Sequence, residues 1–413
     1  MSMAELASAA PTSGGLYFWT HSLSSPRWRN LLAWIVGYAN TIGSVASVAS
    51  IDWGCAVQIT AAASIGSGQT YSATNAQTFG VYTAVVLSHA VICCLGTRLL
   101  ARLQTVYVIL NVLLCLAVII ALPAATPKEF RNSASYALGN FTNTSGWPDG
   151  YAFILSFLAP LWTICSFDSS VHISEEASNA ATAVPWAIVY AIGIAGVLGW
   201  AINVALAFCM GTDLDSLMDS PVGQPMAQIF FNSFGQKGTL ALWSIVVLVH
   251  FTRTPVNTVW FVAVFSILLG LLAFAGDSAI NAIFAMSITA LYIARFLGDN
   301  DFRPGPFNLG MWSAPVGAIA VLWMLFMGIV FLFPTSPNPA VPDMNYTVVV
   351  LGGVMIFSLI WYYFPKYGGV HWFQGPVPTI VKTEPEEQES GRSSTTDSME
   401  KEKAAVSVIQ REA

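Results

Sequence analysis

The feature that most constrains this chain is the recurrence of long apolar runs with almost no charge. They lie at about 31–51, 78–95, 103–122, 184–210, 256–275, 279–297, 314–333 and 346–364. Each is close to the roughly 20 residues that cross a bilayer core as a helix. In hydrocarbon every backbone N–H and C=O must be satisfied by the structure itself, which leaves only helices and closed barrels. The period-two alternation of barrel strands is absent. The expected class is therefore an all-α polytopic membrane protein with about nine to ten transmembrane helices. Only 9% of the residues are charged, whereas soluble domains run near a quarter. Much of the formal charge of −6 lies in the C-terminal tail, so it points to no acidic or basic partner, and none to nucleic acid.

One apolar run is interrupted. The stretch from Phe153 to Pro185 begins as a span, with Phe153, Ile154, Leu155, Phe157 and Leu158. Pro160 then removes a backbone donor, and Thr163, Cys165, Ser166, Asp168, Ser169 and Ser170 crowd the run with polar groups. A charged side chain at bilayer depth costs about 2.5–3.5 kcal/mol on insertion scales. An interrupted hydrophobic segment carrying an acid points to a substrate or ion site. The competing reading is an ordinary span over about Gly150–Phe167, with Asp168 solvated just beyond it and Ser169, Ser170 and His172 in a loop. Periodicity alone leaves both open.

The remaining chain divides into an N-terminal segment (1–30), a transmembrane region (31–364) and a tail (365–413) that reads as disordered from about residue 381. Met1 to Thr12 is small and polar. Gly14-Gly15-Leu16-Tyr17-Phe18-Trp19 is an aromatic cluster of the kind that settles at membrane interfaces, and Trp361, Tyr362 and Tyr363 form a second one. The first span ends at Ile51, placing Asp52 outside it, and the third stops at Pro123. Arg98 and Arg102 are expected in a short loop, and Pro185 opens the fifth span. Gly193, Gly196 and Gly199 offer a close-packing face. His89, inside the second span, is expected as a packed neutral histidine rather than a proton relay. Five of the six cysteines lie in or beside apolar runs and Cys55 just past one; none has metal-ligand spacing, and no metal or cofactor is expected. Asn140 and Asn143 open two glycosylation sequons, usable only in a lumenal loop.

Basic residues mark cytoplasmic loops. Arg27/Arg29, Arg98/Arg102, Arg253, Arg295/Arg303 and Lys366 fall on one side if every segment crosses, with both termini cytoplasmic. Lys128 and Arg131 violate that pattern mildly. The parity requires Gly238–Val249 to cross, although only about twelve apolar residues precede His250, Arg253 and Pro255. That segment is expected to pack poorly or to lie off the membrane normal. Asp168, His89, His172 and Asp277 are scattered without catalytic spacing, so an enzyme is not expected. With no phosphate-binding loop, ATP drive by this chain is not expected either.

Four stretches carry a resemblance. They are Ser13-Gly14-Gly15-Leu16-Tyr17-Phe18-Trp19; Pro160-Leu161-Trp162-Thr163 leading to Phe167-Asp168-Ser169; Ser174-Glu175-Glu176 with Asn179 and Val184-Pro185; and Thr254-Pro255-Val256-Asn257 with Trp260. In order and spacing they resemble the amino acid/polyamine/organocation permeases, and within them the fungal type that includes GABA and choline transporters. The resemblance covers about Ser13 to Phe364. It implies a LeuT-like fold of inverted repeats, with substrate held at the unwound part of a broken span. By that resemblance Thr163, Ile164, Cys165, Ser166, Phe167 and Asp168 bind a small amine or amino acid. Asp168, Glu175 and Glu176 are the coupling or gating candidates, with a coupling proton. Related members often place two glycines before the Phe-Asp pair; Cys165-Ser166 stand there in this chain. The plasma membrane is expected over the vacuole. Against the family's pattern the chain is expected to lack the first two spans and part of the eighth. The alternative is therefore a transport-incompetent membrane protein that acts as partner of another membrane chain.

Overall fold

The computed structural model describes residues 1–95, 97–165, 167–251, 259–270, 302–334, 336–339 and 345–376, all helix, turn or loop. Among these residues six helices are long and apolar enough to cross a membrane, with shorter apolar helices besides. The protein is an all-α polytopic membrane protein. Ser166, Arg253, the Thr254–Asn257 motif, Asp277, the 279–297 run with Arg295, and the tail from 377 lie outside the described residues.

In chain order the principal helices are α1 (Ser2–Ala9), α2 (Gly15–Leu23), α3 (Arg29–Gly66), α4 (Asn75–Leu95), α5 (Thr97–Ala125), α6 (Ala134–Gly139), α7 (Asp149–Ser156), α8 (Leu158–Thr163), α9 (Ser169–His172) and α10 (Ala180–Cys209). They continue as α11 (Leu214–Met218), α12 (Pro225–Phe251), α13 (Val259–Gly270), α14 (Ser313–Val330), α15 (Thr347–Tyr362) and α16 (Gly369–Trp372).

The hub is α3, with α2, α4, α12, α13 and α15 packed along it. It runs 38 residues, about 57 Å at 1.5 Å per residue. That exceeds a bilayer core, so it tilts or projects. The sequence-based end at Ile51 is wrong: Asp52 and Cys55 lie within the helix, both buried. Small side chains, Ala39, Gly43, Ala46, Ala49 and Ala56, are buried along it and admit close neighbours. Trp34 donates to Ser358 O (3.0 Å), and its ring meets Tyr362 edge-on at 5.5 Å. Tyr362 therefore turns inward, while Trp361 and Tyr363 stay exposed.

The N-terminal segment is core rather than lead-in. Every residue of α1 except the last is buried. Met3, Ala4, Leu6 and Ala7 pack with Leu16, Trp19, Val36, Val184 and Ile188. The aromatic cluster expected at the interface packs inward too, with Trp19 buried and donating to Ala10 O. The fifth span starts at Ala180 rather than at Pro185, after Asn179 in the left-handed region (φ 58°). Proline cannot donate to the carbonyl four residues back. The carbonyl left open, Ala181 O, accepts from Ser8 Oγ at 2.7 Å, so α1 fills the gap that Pro185 makes. Pro123 likewise lies inside α5, and α5 begins before Arg98 and Arg102.

In the segment expected to pack poorly or to lie off the membrane normal, Thr239, Trp243 and Val249 are buried. Gly238–Val249 lies in the C-terminal half of α12, whose 27 residues are bent at Gly235 (φ 67°, ψ 179°), a conformation closed to other residues. Trp243 is fully buried and donates to Gln58 O (3.0 Å). Gln236 Nε2 caps the end of α3 at Ile65 O and Gly66 O. The preceding turns, back to Pro225, extend the helix to 27 residues. Arg131, an exception to the charge rule, has a structural task. It donates from Nε to Thr126 O (2.7 Å) and from an Nη to Ala124 O (3.4 Å), the orphan carbonyls at the end of α5.

Candidate functional site

The interrupted stretch is broken in the structure. Instead of one span there are three short helices, α7, α8 and α9, of 8, 6 and 4 residues. Phe157 ends the first and starts the second, and Pro160 sits in the first turn of α8, where a missing N–H costs least. The described residues between Thr163 and Ser169 belong to neither helix, being turn or irregular. Helix termini leave orphan N–H and C=O groups; at the end of α8, Pro160 O accepts from Ile164 N (3.2 Å) and Trp162 O from Cys165 N (3.4 Å).

Thr163 is the last helical residue, not an unwound one. Its hydroxyl donates to Ala159 O at 3.0 Å, and its methyl abuts Gly199 of α10 so closely that an added Cβ would lie 2.6 Å away. Of the three glycines expected to form a packing face, only Gly199 meets a neighbour; Gly193 and Gly196 have open space. Ile164 caps α8 (φ −104°, ψ 14°). Cys165 is exposed. Phe167 packs against the cluster of α1, α2 and α10. Asp168 is helical in backbone (φ −74°, ψ −17°). Its side chain is 23% exposed and 4.0 Å from His172 Nε2.

The gating candidates divide. Glu175 Oε1 accepts from Ser13 Oγ (2.7 Å), Ser13 N (3.0 Å) and Thr12 Oγ1 (3.2 Å). His172 Nδ1 lies 3.1 Å from Ser13 O. Together they tie the α1–α2 connection to the chain after the break. Glu176 is exposed and makes no side-chain hydrogen bond among the described residues. At the other end of α10, about 45 Å away along a 30-residue helix, a cleft is lined by Glu129, Asp213, Asp219, Gln228 and Asn232.

Two buried acids escaped the sequence reading. Glu5 Oε2 accepts from Ser313 Oγ (2.8 Å), inside a helix that looked merely small and polar. Asp52 Oδ1 stands 3.1 Å from His89 Nδ1. A signal for the second pair existed: Asp52 lies fourteen residues before the end of α3 at Gly66 and His89 fourteen after the start of α4 at Asn75. An antiparallel hairpin brings such positions level.

The sequence profile of the family described as "Amino acid permease" matches residues 1–252. An uncharacterized amino-acid permease of Schizosaccharomyces pombe is 36% identical over 92% of this chain and 76% of its own length. The GABA-specific permease of Saccharomyces cerevisiae is 32% identical over 92% and 74%. Amino-acid permease 2 of Neurospora crassa is 33% identical over 91% and 76%. The chain belongs to the amino acid permease family. These relatives are transporters rather than enzymes.

Proposed function

We propose that the chain is a secondary transporter for an amino acid or a related organic amine such as GABA or choline, working by alternating access. The observation that carries this is the gap between α8 and α9, in residues 164–168. Orphan backbone groups there meet a substrate carboxylate or ammonium, as half-helix ends do in broken-helix transporters. Asp168 is the counter-charge for the substrate amine, with Ile164 and Cys165 beside it in sequence; Ser166, also a candidate, lies outside the described residues, and Phe167 backs the stretch from the α1–α2–α10 cluster. The relative named for GABA, an amino acid without an α-ammonium, supports an acid set beside a backbone cradle as the recognition pair.

Glu175 is the gate. Its three hydrogen bonds to Thr12 and Ser13 close the cytoplasmic end, and outward movement of the chain after α9 breaks them together. This reading places both termini and Glu175/Glu176 in the cytoplasm, and the protein in the plasma membrane. The test is uptake of labelled GABA, choline and a panel of amino acids by cells expressing the full chain. Asp168→Asn is expected to bring uptake to background while membrane insertion, followed by surface labelling, is unchanged. Normal uptake by that variant defeats the site assignment. Labelling of cysteines placed at 175 and 176 by an impermeant reagent from outside the cell defeats the orientation.

A further inference from the structure

The broken stretch lies along α10, and α8 and α9 both pack against that helix. Thr163, the last residue of α8, meets α10 at Gly199. Phe167, near the other end of the gap, packs on the cluster to which α10 gives Val184 and Ile188, with Val189 and Ile192 also against it. The gap at 164–168 therefore runs beside α10 from the level of Gly199 to that of Ile192. Between those levels, at Gly196, an added Cβ would meet no heavy atom within 4 Å. We infer that Gly196 is a specificity-determining residue of the gap: its missing side chain leaves the space in which the carbon chain of the substrate lies, and so sets how wide that chain can be.

Helix geometry separates this glycine from its neighbour. Successive residues turn about 100° around an α-helix. With Gly199 taken as the direction of α8, Ile192 lies about 20° away, Gly196 about 60° and Val189 about 80°. Ile192 and Val189 pack on the cluster that also receives Phe167, so the face they share with Gly196 is the one turned to the broken stretch. Gly193 lies about 120° round, in a stripe with Trp186, Val197 and Trp200. Those three side chains are 48%, 67% and 70% exposed and form the face that meets lipid. Open space at Gly193 thus belongs to the membrane, and at Gly196 to the gap.

The space is longer than it is wide. Ile188 and Gly196 are eight positions apart, about 12 Å along the axis at 1.5 Å per residue. Phe167 is fixed near the level of Ile188, and Asp168 follows it. An ammonium held at Asp168 directs the rest of the molecule along α10, past the bare backbone at Gly196 toward Thr163. The fit is to an elongated amine such as an ω-amino acid, with room at Gly196 for a small branch. A side chain at 196 narrows that path without meeting a protein neighbour, so its effect falls on the substrate rather than on the fold.

The inference rests on the transporter reading for its substrate, though not for its geometry, and the test has one readout for each. Cysteine is placed at 196 or at 193 of the full chain in a Cys165→Ser background, so that the native thiol of the gap does not compete. The protein is reconstituted in lipid nanodiscs and reacted with a charged, water-soluble methanethiosulfonate. A thiol in apolar surroundings ionises poorly and reacts slowly, so Gly196→Cys is expected to react about tenfold faster than Gly193→Cys; equal rates overturn the inference. Uptake of labelled GABA and of its methyl-branched analogue is then measured in cells. Gly196→Ala is expected to raise KM for the branched analogue about tenfold and that for GABA by less than about threefold, because the added methyl occupies the room of the branch. Gly196→Leu should stop uptake of both with an unfolding midpoint no lower than that of wild type, and Gly193→Leu should change neither. Uptake by Gly196→Leu at the wild-type rate overturns the inference. If wild type takes up no amine while Gly196→Cys still reacts, the transporter reading fails, and the assignment of Gly196 to a water-filled gap stands.

Discussion

The chain holds two aspartate–histidine neighbours of opposite character. Asp168 and His172 lie one turn apart, 4.0 Å from each other, with 23% and 37% of their side chains exposed. Asp52 and His89 come from different spans, 3.1 Å apart, exposed by 0% and 7%. The first pair borders a gap in the backbone and has room for a third group. The second is closed by Phe251 and by helices on several sides. A contact that is loose and reachable suits binding, and one that is tight and shielded suits holding structure together. Substitution separates the two uses.

The largest contrast is expected from alanine at the two acids. Removing one partner of a buried pair leaves the other desolvated and costs about 3–5 kcal/mol. Asp52→Ala should therefore lower the unfolding midpoint steeply and reduce the yield of monodisperse protein. Asp168→Ala should leave stability within about 0.5 kcal/mol of wild type, its effect falling on uptake. Thermal unfolding of purified protein, run side by side, decides the matter; equal losses would erase the distinction.

A smaller effect is expected where the broken stretch leans on α10. A Cβ at position 199 would lie 2.6 Å from Thr163 Cγ2. Gly199→Ala should push α8 away and cost about 1–3 kcal/mol, as overpacking does. Thr163→Ser deletes the offending methyl, so the double variant should recover most of the midpoint. Failure of that rescue would mean the two helices do not meet in this way. The same operation on Gly193 or Gly196, which have open space, should change little.

These two regions were not equally legible in the sequence. The Asp168 region is local: proline, a run of hydroxyls and an acid within one apolar segment announce a break, and the break is where they stand. The Asp52 region is not. An acid at the edge of an apolar run looks like a boundary, and only the partner 37 positions away makes burial affordable. Pro185 misled for the same reason, since the carbonyl it strands at Ala181 is taken by Ser8, 173 residues earlier. Gly238–Val249 looked short because the turns before the Gly235 bend were read as loop. Single-segment hydropathy sees length and polarity, and cannot see which distant group will satisfy an exception.

A modest effect, independent of stability, separates the two sequons. Asn143 is committed to its loop: its Nδ2 donates to Trp147 O (2.6 Å) and Asp149 Oδ1 (2.9 Å), and its Oδ1 accepts from Ser145 N and Oγ. Asn140 is exposed and its amide reaches only Thr142 Oγ1 (3.3 Å), the hydroxyl of its own sequon. If this loop faces the secretory lumen, glycan should be found at Asn140. Loss of a single endoglycosidase-sensitive shift in Asn140→Gln, and its retention in Asn143→Gln, is the expected pattern.

The smallest effect is expected at a histidine that belongs to neither pair. His21 lies on α2, outside the spans, with Nε2 3.0 Å from Asn30 Oδ1, whose amide donates to Phe373 O. Burial pushes its pKa below the ordinary value, against the weaker upward pull of Asn30. The folded chain then resists a proton that the unfolded chain accepts. Its contribution to stability is present above the unfolded pKa of about 6.5 and is lost as pH falls below it. His21→Asn should flatten the acid limb of the wild-type midpoint–pH curve, by a degree or so. An acid limb as steep in His21→Asn as in wild type would defeat this assignment to His21.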